Sequence, residues 1–147
     1  MKIYLSSDHA GFELKNHLAD FLKDKGFTVI DKGPFSYVEG DDYPDYTKSV
    51  AEEILRDPDD SRGIILGGSG EGEAISVNRM KGIMCGVYYG GNLDIIKLSR
   101  EHNNSNILSL GARFITNTEA EEAVTLWLET GFSGDERHKR RLSKIDS

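Results

Sequence analysis

Behind three apolar residues, the stretch Ile64-Ile65-Leu66-Gly67-Gly68-Ser69-Gly70-Glu71-Gly72-Glu73 sets four glycines and two carboxylates in close succession. The apolar run reads as a buried strand and the glycines as a tight loop, with a helical-looking stretch from Ala74 to Met80 behind them. A loop of this kind aims backbone N–H groups at one point, at the positive end of a helix dipole, so an oxyanion would be stabilised there. The phosphate-binding pattern that ends in Gly-Lys-Ser/Thr is absent, and glycines at 67, 68, 70 and 72 do not fit Gly-x-Gly-x-x-Gly. Acidic side chains would also repel a phosphate. A carboxylate beside a row of amides suits different chemistry, in which it takes a proton from carbon while the amides hold the enediolate that forms. A glycine turn with solvated glutamates is the alternative reading of the same residues.

Three other clusters carry chemistry-bearing side chains. Asp8-His9 follows the first apolar run and reads either as a helix N-cap with a surface imidazole or as part of a site. Arg100-Glu101-His102-Asn103-Asn104-Ser105-Asn106 ends a helical stretch, where an imidazolium would be stabilised and asparagines would form turns. Arg137-His138-Lys139-Arg140-Arg141 is a basic run whose Arg137 and Arg141 share one helix face. Arginine forks fit phosphate oxygens, and a solvated terminal helix has the same composition. His9, His17, His102 and His138 show no metal-ligand spacing, so no metal site is expected, and His17 reads as structural. Cys85 reads as a buried, inert thiol, and there is no Ser-His-Asp arrangement with a nucleophile elbow.

The elements that must position these residues alternate in type. Strands are expected at Lys2–Ser7, at Phe27–Ile30 ending at Asp31, and at Arg62–Leu66, Ile83–Tyr88 and Asn106–Leu110. Helices are expected over Phe12–Lys25, from about Asp45 to Arg56, over Ala74–Met80 and over Leu93–Glu101. Thr118 with Glu121 has capping-box spacing and should open a further helix that runs to about Thr130. A short charged helix should span 134–147. Five strands alternating with helices predict a parallel sheet covered on both faces, with ligands at the carboxyl ends of the strands. Asp8 and His9, Ser69 to Glu73, and Arg113 fall at such ends.

At 147 residues the chain is expected to form one domain with a sizeable core. Its net charge of −7 speaks against nucleic acid as a partner. No apolar run reaches membrane-span length and no signal peptide opens the chain, so a cytoplasmic location is expected. A single cysteine excludes an internal disulfide.

Taken together, these residues resemble ribose-5-phosphate isomerase of the B type, in the family that also holds galactose-6-phosphate isomerase subunits. The resemblance runs over nearly the whole chain. It rests on Ser7-Asp8-His9-Ala10-Gly11-Phe12-Glu13-Leu14-Lys15, on Asp42-Tyr43-Pro44-Asp45-Tyr46, on Gly67 to Glu73, on Arg100 to Asn104, on Gly111-Ala112-Arg113 and on Arg137 to Arg141. It implies a Rossmann-like three-layer α/β/α sandwich with a five-stranded parallel sheet. It also implies interconversion of aldose and ketose sugar phosphates through a cis-enediolate, with no cofactor and no metal. One branch of the family has a cysteine just before the glycine loop. Gly67 stands at that position here, which implies the glutamate branch with Glu73 as base.

By the same resemblance, Ser69 lies near the substrate oxygens, beside Gly68 and Tyr43, and the amides of Gly70, Glu71 and Gly72 hold the enediolate. Asp8 contacts a hydroxyl, and His102 is the acid of ring opening, with Asn103 beside it. His9, Arg113, Arg137 and Arg141 surround the phosphate end or its approaches. A homodimer or dimer of dimers with shared sites is implied, the C-terminal helix packing at the subunit interface. Ribose 5-phosphate is the expected substrate. A six-carbon substrate, allose 6-phosphate or galactose 6-phosphate, is the alternative, and a sugar-phosphate-binding module without catalysis is a third reading.

Overall fold

A computed structural model describes residues 1–147. Its elements are β1 (Lys2–Ser7), α1 (Phe12–Asp24), β2 (Thr28–Asp31), α2 (Tyr43–Arg56), β3 (Ser61–Gly67) and α3 (Glu71–Asn78), followed by β4 (Cys85–Tyr88), α4 (Asp94–Glu101), β5 (Ile107–Gly111), α5 (Asn117–Glu129) and α6 (Glu136–Ser143). All strand pairs are parallel, in the order β2-β1-β3-β5-β4.

Side chains alternate across the sheet and divide the core in two. Ile3, Leu5, Ile64, Leu66, Leu108 and Leu110 point to one face, where Leu14, Leu18 and Leu22 of α1, Ile96 of α4, and Val124 and Trp127 of α5 cover them. Tyr4, Ile65 and Ile107 point to the other, against Val50, Ala51 and Ile54 of α2 and Val77 of α3. The result is the parallel sheet covered on both faces that the alternation of strands and helices predicts, and the Rossmann-like three-layer sandwich that the resemblance implies. No helix is long and apolar enough to cross a membrane.

Three boundaries differ from expectation in ways that matter. The third helix opens at Glu71, not at Ala74, because Gly70 adopts φ +80° and turns the chain straight into it. Glu71, Gly72 and Glu73 therefore form its first turn. The second helix opens at Tyr43, with Pro44 in the first turn, where its missing N–H costs nothing. In α5 the capping box belongs to Thr116 and Glu119. The Thr116 hydroxyl accepts from the Glu119 N–H at 3.1 Å, and the Glu119 carboxylate accepts from the Thr116 N–H at 3.1 Å. Thr118 and Glu121 have the same spacing, but the extended backbone of Thr116 starts the helix first and leaves Thr118 inside it. The C-terminal helix is also shorter than expected, Glu136–Ser143.

Candidate functional site

The chain leaves β1 toward β2 on one side and reaches β3 on the other. The crevice at the carboxyl ends of β1 and β3 is thus the topological switch point of the sheet. Asp8 follows β1 directly. Its N–H bonds the Leu66 carbonyl at 3.1 Å, and its carboxylate accepts the Gly11 N–H at 3.1 Å. Gly11 must be small: a Cβ there would lie 2.7 Å from that of Leu66.

Glu73 folds back from the first turn of α3 over the end of β3, and its carboxyl lies against the Gly67 backbone, in the space a Cβ would take. The residue is 4% exposed. Burial pushes its carboxyl above the ordinary value of 4.5, and the charge of the adjacent Asp8 carboxyl raises it further, against a bond from its own backbone N–H. A carboxyl held this way suits a group that must both take and return a proton.

The rest of the turn is built around that carboxyl. The Gly70 carbonyl accepts the Ser109 hydroxyl at 2.7 Å and the Ala74 N–H at 3.1 Å, which fixes the start of α3. The Ser69 hydroxyl accepts the Glu71 N–H at 3.2 Å. First-turn N–H groups of a helix have no carbonyl partner within it, so that of Gly72 is a natural oxyanion donor, while that of Glu71 is shared with the Ser69 hydroxyl. Arg113 is held by its own N–H on the Gly68 carbonyl at 3.1 Å, and its guanidinium covers Gly68. The Tyr43 hydroxyl lies where a Gly72 side chain would begin, 2.8 Å from that point. His9 follows Asp8, and the Asp41 carboxylate accepts both its backbone N–H at 3.0 Å and its ring Nδ1 at 2.9 Å.

The remaining residues singled out in the sequence lie elsewhere. His102 caps α4 and Asn103 follows it, ahead of β5. They therefore stand at the amino ends of the strands, whereas Glu73 stands at the carboxyl ends. Five residues of β5 separate the two ends, roughly 15 Å at about 3.3 Å per residue. There the His102 ring stacks on that of His138, with centroids 4.2 Å apart and planes 20° apart. Arg137 Nε lies 3.4 Å from His138 Nε2, and Arg141 is exposed on the same helix. His138 is 5% exposed, and burial, reinforced by the His102 and Arg137 charges, pushes its imidazole below the usual range. A cleft of about 300 Å³ along edge strand β4 opens at this end, with Asn103, Ser99 and Leu142 in its wall.

The sequence assigns no site role to Arg100, His138 or Asp41, although the first two lie within clusters it singles out. Arg100 is buried without an acidic partner. It donates to the carbonyls of Thr130 and Ser105 and to Asn104 Oδ1, and so holds the turn that carries His102. The spacing of His138 between Arg137 and Arg141 was the one available signal. Cys85, expected to be buried, is instead half-buried in the wall of the cleft along β4, because β4 is an edge strand, and desolvation pushes its thiol above the usual range. The side chains include no cluster of His, Cys, Asp and Glu fit to hold a metal.

Residues 3–145 match the family model described as Ribose/Galactose Isomerase. Ribose-5-phosphate isomerase B of Mycolicibacterium paratuberculosis is 42% identical over 142 residues, which is 97% of this chain and 87% of that protein. The crystal structure of ribose-5-phosphate isomerase B from Mycoplasma genitalium with bound ribulose-5-phosphate superposes with a TM-score of 0.92 at 36% identity, over 98% of this chain and 93% of that one. The ribose 5-phosphate isomerase of Thermotoga maritima gives 0.91 at 44% identity, over 99% and 97%.

Proposed function

The chain belongs to the ribose/galactose isomerase family and is an aldose–ketose isomerase of ribose 5-phosphate and ribulose 5-phosphate; we propose that Glu73 moves the proton between carbons 2 and 1. The observation that carries this reading is the Glu73 carboxyl, desolvated against Gly67, beside Asp8 and at the N-terminus of α3. Glu73 takes the proton from C2 of the open-chain aldose. The C2–H electron pair becomes the C1–C2 double bond, and the carbonyl pair moves onto O1. The first-turn amides of α3 hold that oxygen, an arrangement in which a single donor is typically worth ~2.7–4 kcal/mol. Return of the proton from Glu73 to C1, as the C1–C2 double-bond pair takes it up and the O2 proton passes to O1, gives the ketose with its carbonyl at C2. No step calls for a cofactor or metal.

His102 as the acid of ring opening cannot reach the Glu73 of its own chain across the sheet. The separation supports a site made by two copies, in which one supplies Asp8, Ser69 and Glu73 and the other supplies His102, Asn103 and the arginines of α6. Exposed Ile95, Leu98 and Ile145 beside edge strand β4 support such an association. Arg137 and Arg141 would then serve the phosphate with Arg113 from the first copy, and His9 would stand at its approaches. We place this single-domain homodimer, or dimer of dimers, in the cytoplasm, where an unpaired cysteine is stable.

Turnover of ribose 5-phosphate, allose 6-phosphate and galactose 6-phosphate, measured side by side, tests the substrate. Ribose 5-phosphate should give the highest kcat/KM. A higher value for either hexose phosphate would move the enzyme to the six-carbon branch, and turnover of none would leave only a binding role.

A further inference from the structure

We propose that Asp41 is a positioning residue for the isomerase site: it fixes His9 with its Nδ1 protonated and leaves Nε2 as an acceptor for a hydroxyl of the sugar phosphate. Asp41 lies in the segment between β2 and α2, 32 residues along the chain from His9. Its side chain is 4% exposed. A carboxylate taken so far from water is costly unless donors meet it. The donors are both on His9: the backbone N–H at 3.0 Å and ring Nδ1 at 2.9 Å, on the same oxygen, Oδ1. The other oxygen, Oδ2, is buried with no protein donor. A position selected for stability alone would favour an apolar side chain over a half-satisfied buried carboxylate.

Two bonds to one residue also fix more than one bond would. The backbone contact sets the Cα of His9, and the ring contact sets its side-chain torsions and its tautomer. Because a carboxylate only accepts, Nδ1 must be the donor. The Tyr37 ring, from the same segment as Asp41, meets the His9 ring edge-on at 6.2 Å. That segment is itself tied down. Lys15, fully buried, donates to both Asp31 oxygens at 2.9 and 2.8 Å and to the Pro34 carbonyl at 2.6 Å. The hold therefore runs from Lys15 through the segment to Asp41 and so to His9, next to Asp8 and the base. A ring fixed before the substrate arrives loses no freedom on binding it.

The proposal rests on the isomerase reading for its kinetics but not for its spectroscopy. The ring nitrogens of His9 can be read by 15N NMR without substrate, and assigned by difference from a His9→Gln spectrum. The neutral ring of the wild type should show Nδ1–H. Asp41→Ala should shift the tautomer toward Nε2–H and raise KM for ribose 5-phosphate about tenfold, with kcat changed less than about threefold. Asp41→Asn, whose amide oxygen can still accept both bonds, should keep the wild-type tautomer and hold KM within about threefold. A mere tether for the segment would lower the melting temperature of Asp41→Ala and leave the His9 tautomer alone. An unchanged tautomer in Asp41→Ala, or an unchanged KM beside wild-type turnover, overturns the proposal. Failure of the wild type to turn over ribose 5-phosphate counts against the isomerase reading instead, and the tautomer then decides the role of Asp41.

Discussion

The Glu73 carboxyl fills the space into which a side chain on Gly67 would extend: a Cβ built on Gly67 overlaps both of its oxygens. One residue is at the end of β3 and the other is in the first turn of α3, so the sharp turn at Gly70 brings them together. The glycine at 67 is thus a condition for the glutamate at 73 to be a base, and a side chain at 67 would take its place.

Gly67→Ala should therefore displace the Glu73 carboxyl from the site. We expect kcat/KM to fall by ~10²–10⁴, the usual worth of a general base, while the far-ultraviolet circular dichroism stays that of the wild type. Activity within a few fold of wild type would show that the carboxyl does not act from its place over Gly67.

The raised titration of Glu73 fixes the direction of two pH effects. Its carboxyl holds a proton above 4.5 that the unfolded chain has released. The stability it contributes is present below 4.5 and is lost as pH rises through the raised value, because the folded state must then bury a charge. Glu73→Gln should accordingly gain in melting temperature over the wild type as pH rises through that window. Since the base acts when ionised, kcat/KM of the wild type should fall on the acid side at a pH above 4.5. A series of melts and rate profiles checks both, and an acid limb at or below that value would contradict the assignment.

Glu73 and His102 stand at opposite ends of the sheet, so variants of each should complement one another. Glu73→Gln and His102→Asn chains, each inactive alone, should regain partial activity once unfolded and refolded together, because a hybrid pair contains one intact site. No recovery in a mixture shown by mass spectrometry to contain hybrids would contradict a site shared between copies.

Much of this architecture is legible in the sequence because it follows from periodicity. Alternation of apolar runs with helical spacing fixes five parallel strands, and a parallel sheet concentrates ligands at its carboxyl ends, where Asp8, Ser69 and Arg113 fall. Helix starts are less legible. Thr116-Asn117-Thr118-Glu119-Ala120-Glu121 holds two overlapping capping boxes, and only the path of the chain out of β5 selects the first. Contacts between distant segments have no local signal at all. Nothing near Asp41 points to His9, and nothing near His138 points to the face of His102. The distance between His102 and Glu73 required the strand order and direction, which spacing along the chain does not contain.

The most direct test of the central claim is the turnover of ribose 5-phosphate by Glu73→Gln, with the fold verified by circular dichroism. The amide keeps the size of the side chain over Gly67 and removes its ability to take a proton. Turnover should drop by ~10²–10⁴ with KM little changed. Retention of more than about a tenth of the wild-type rate would contradict Glu73 as the base, given what general base catalysis is typically worth.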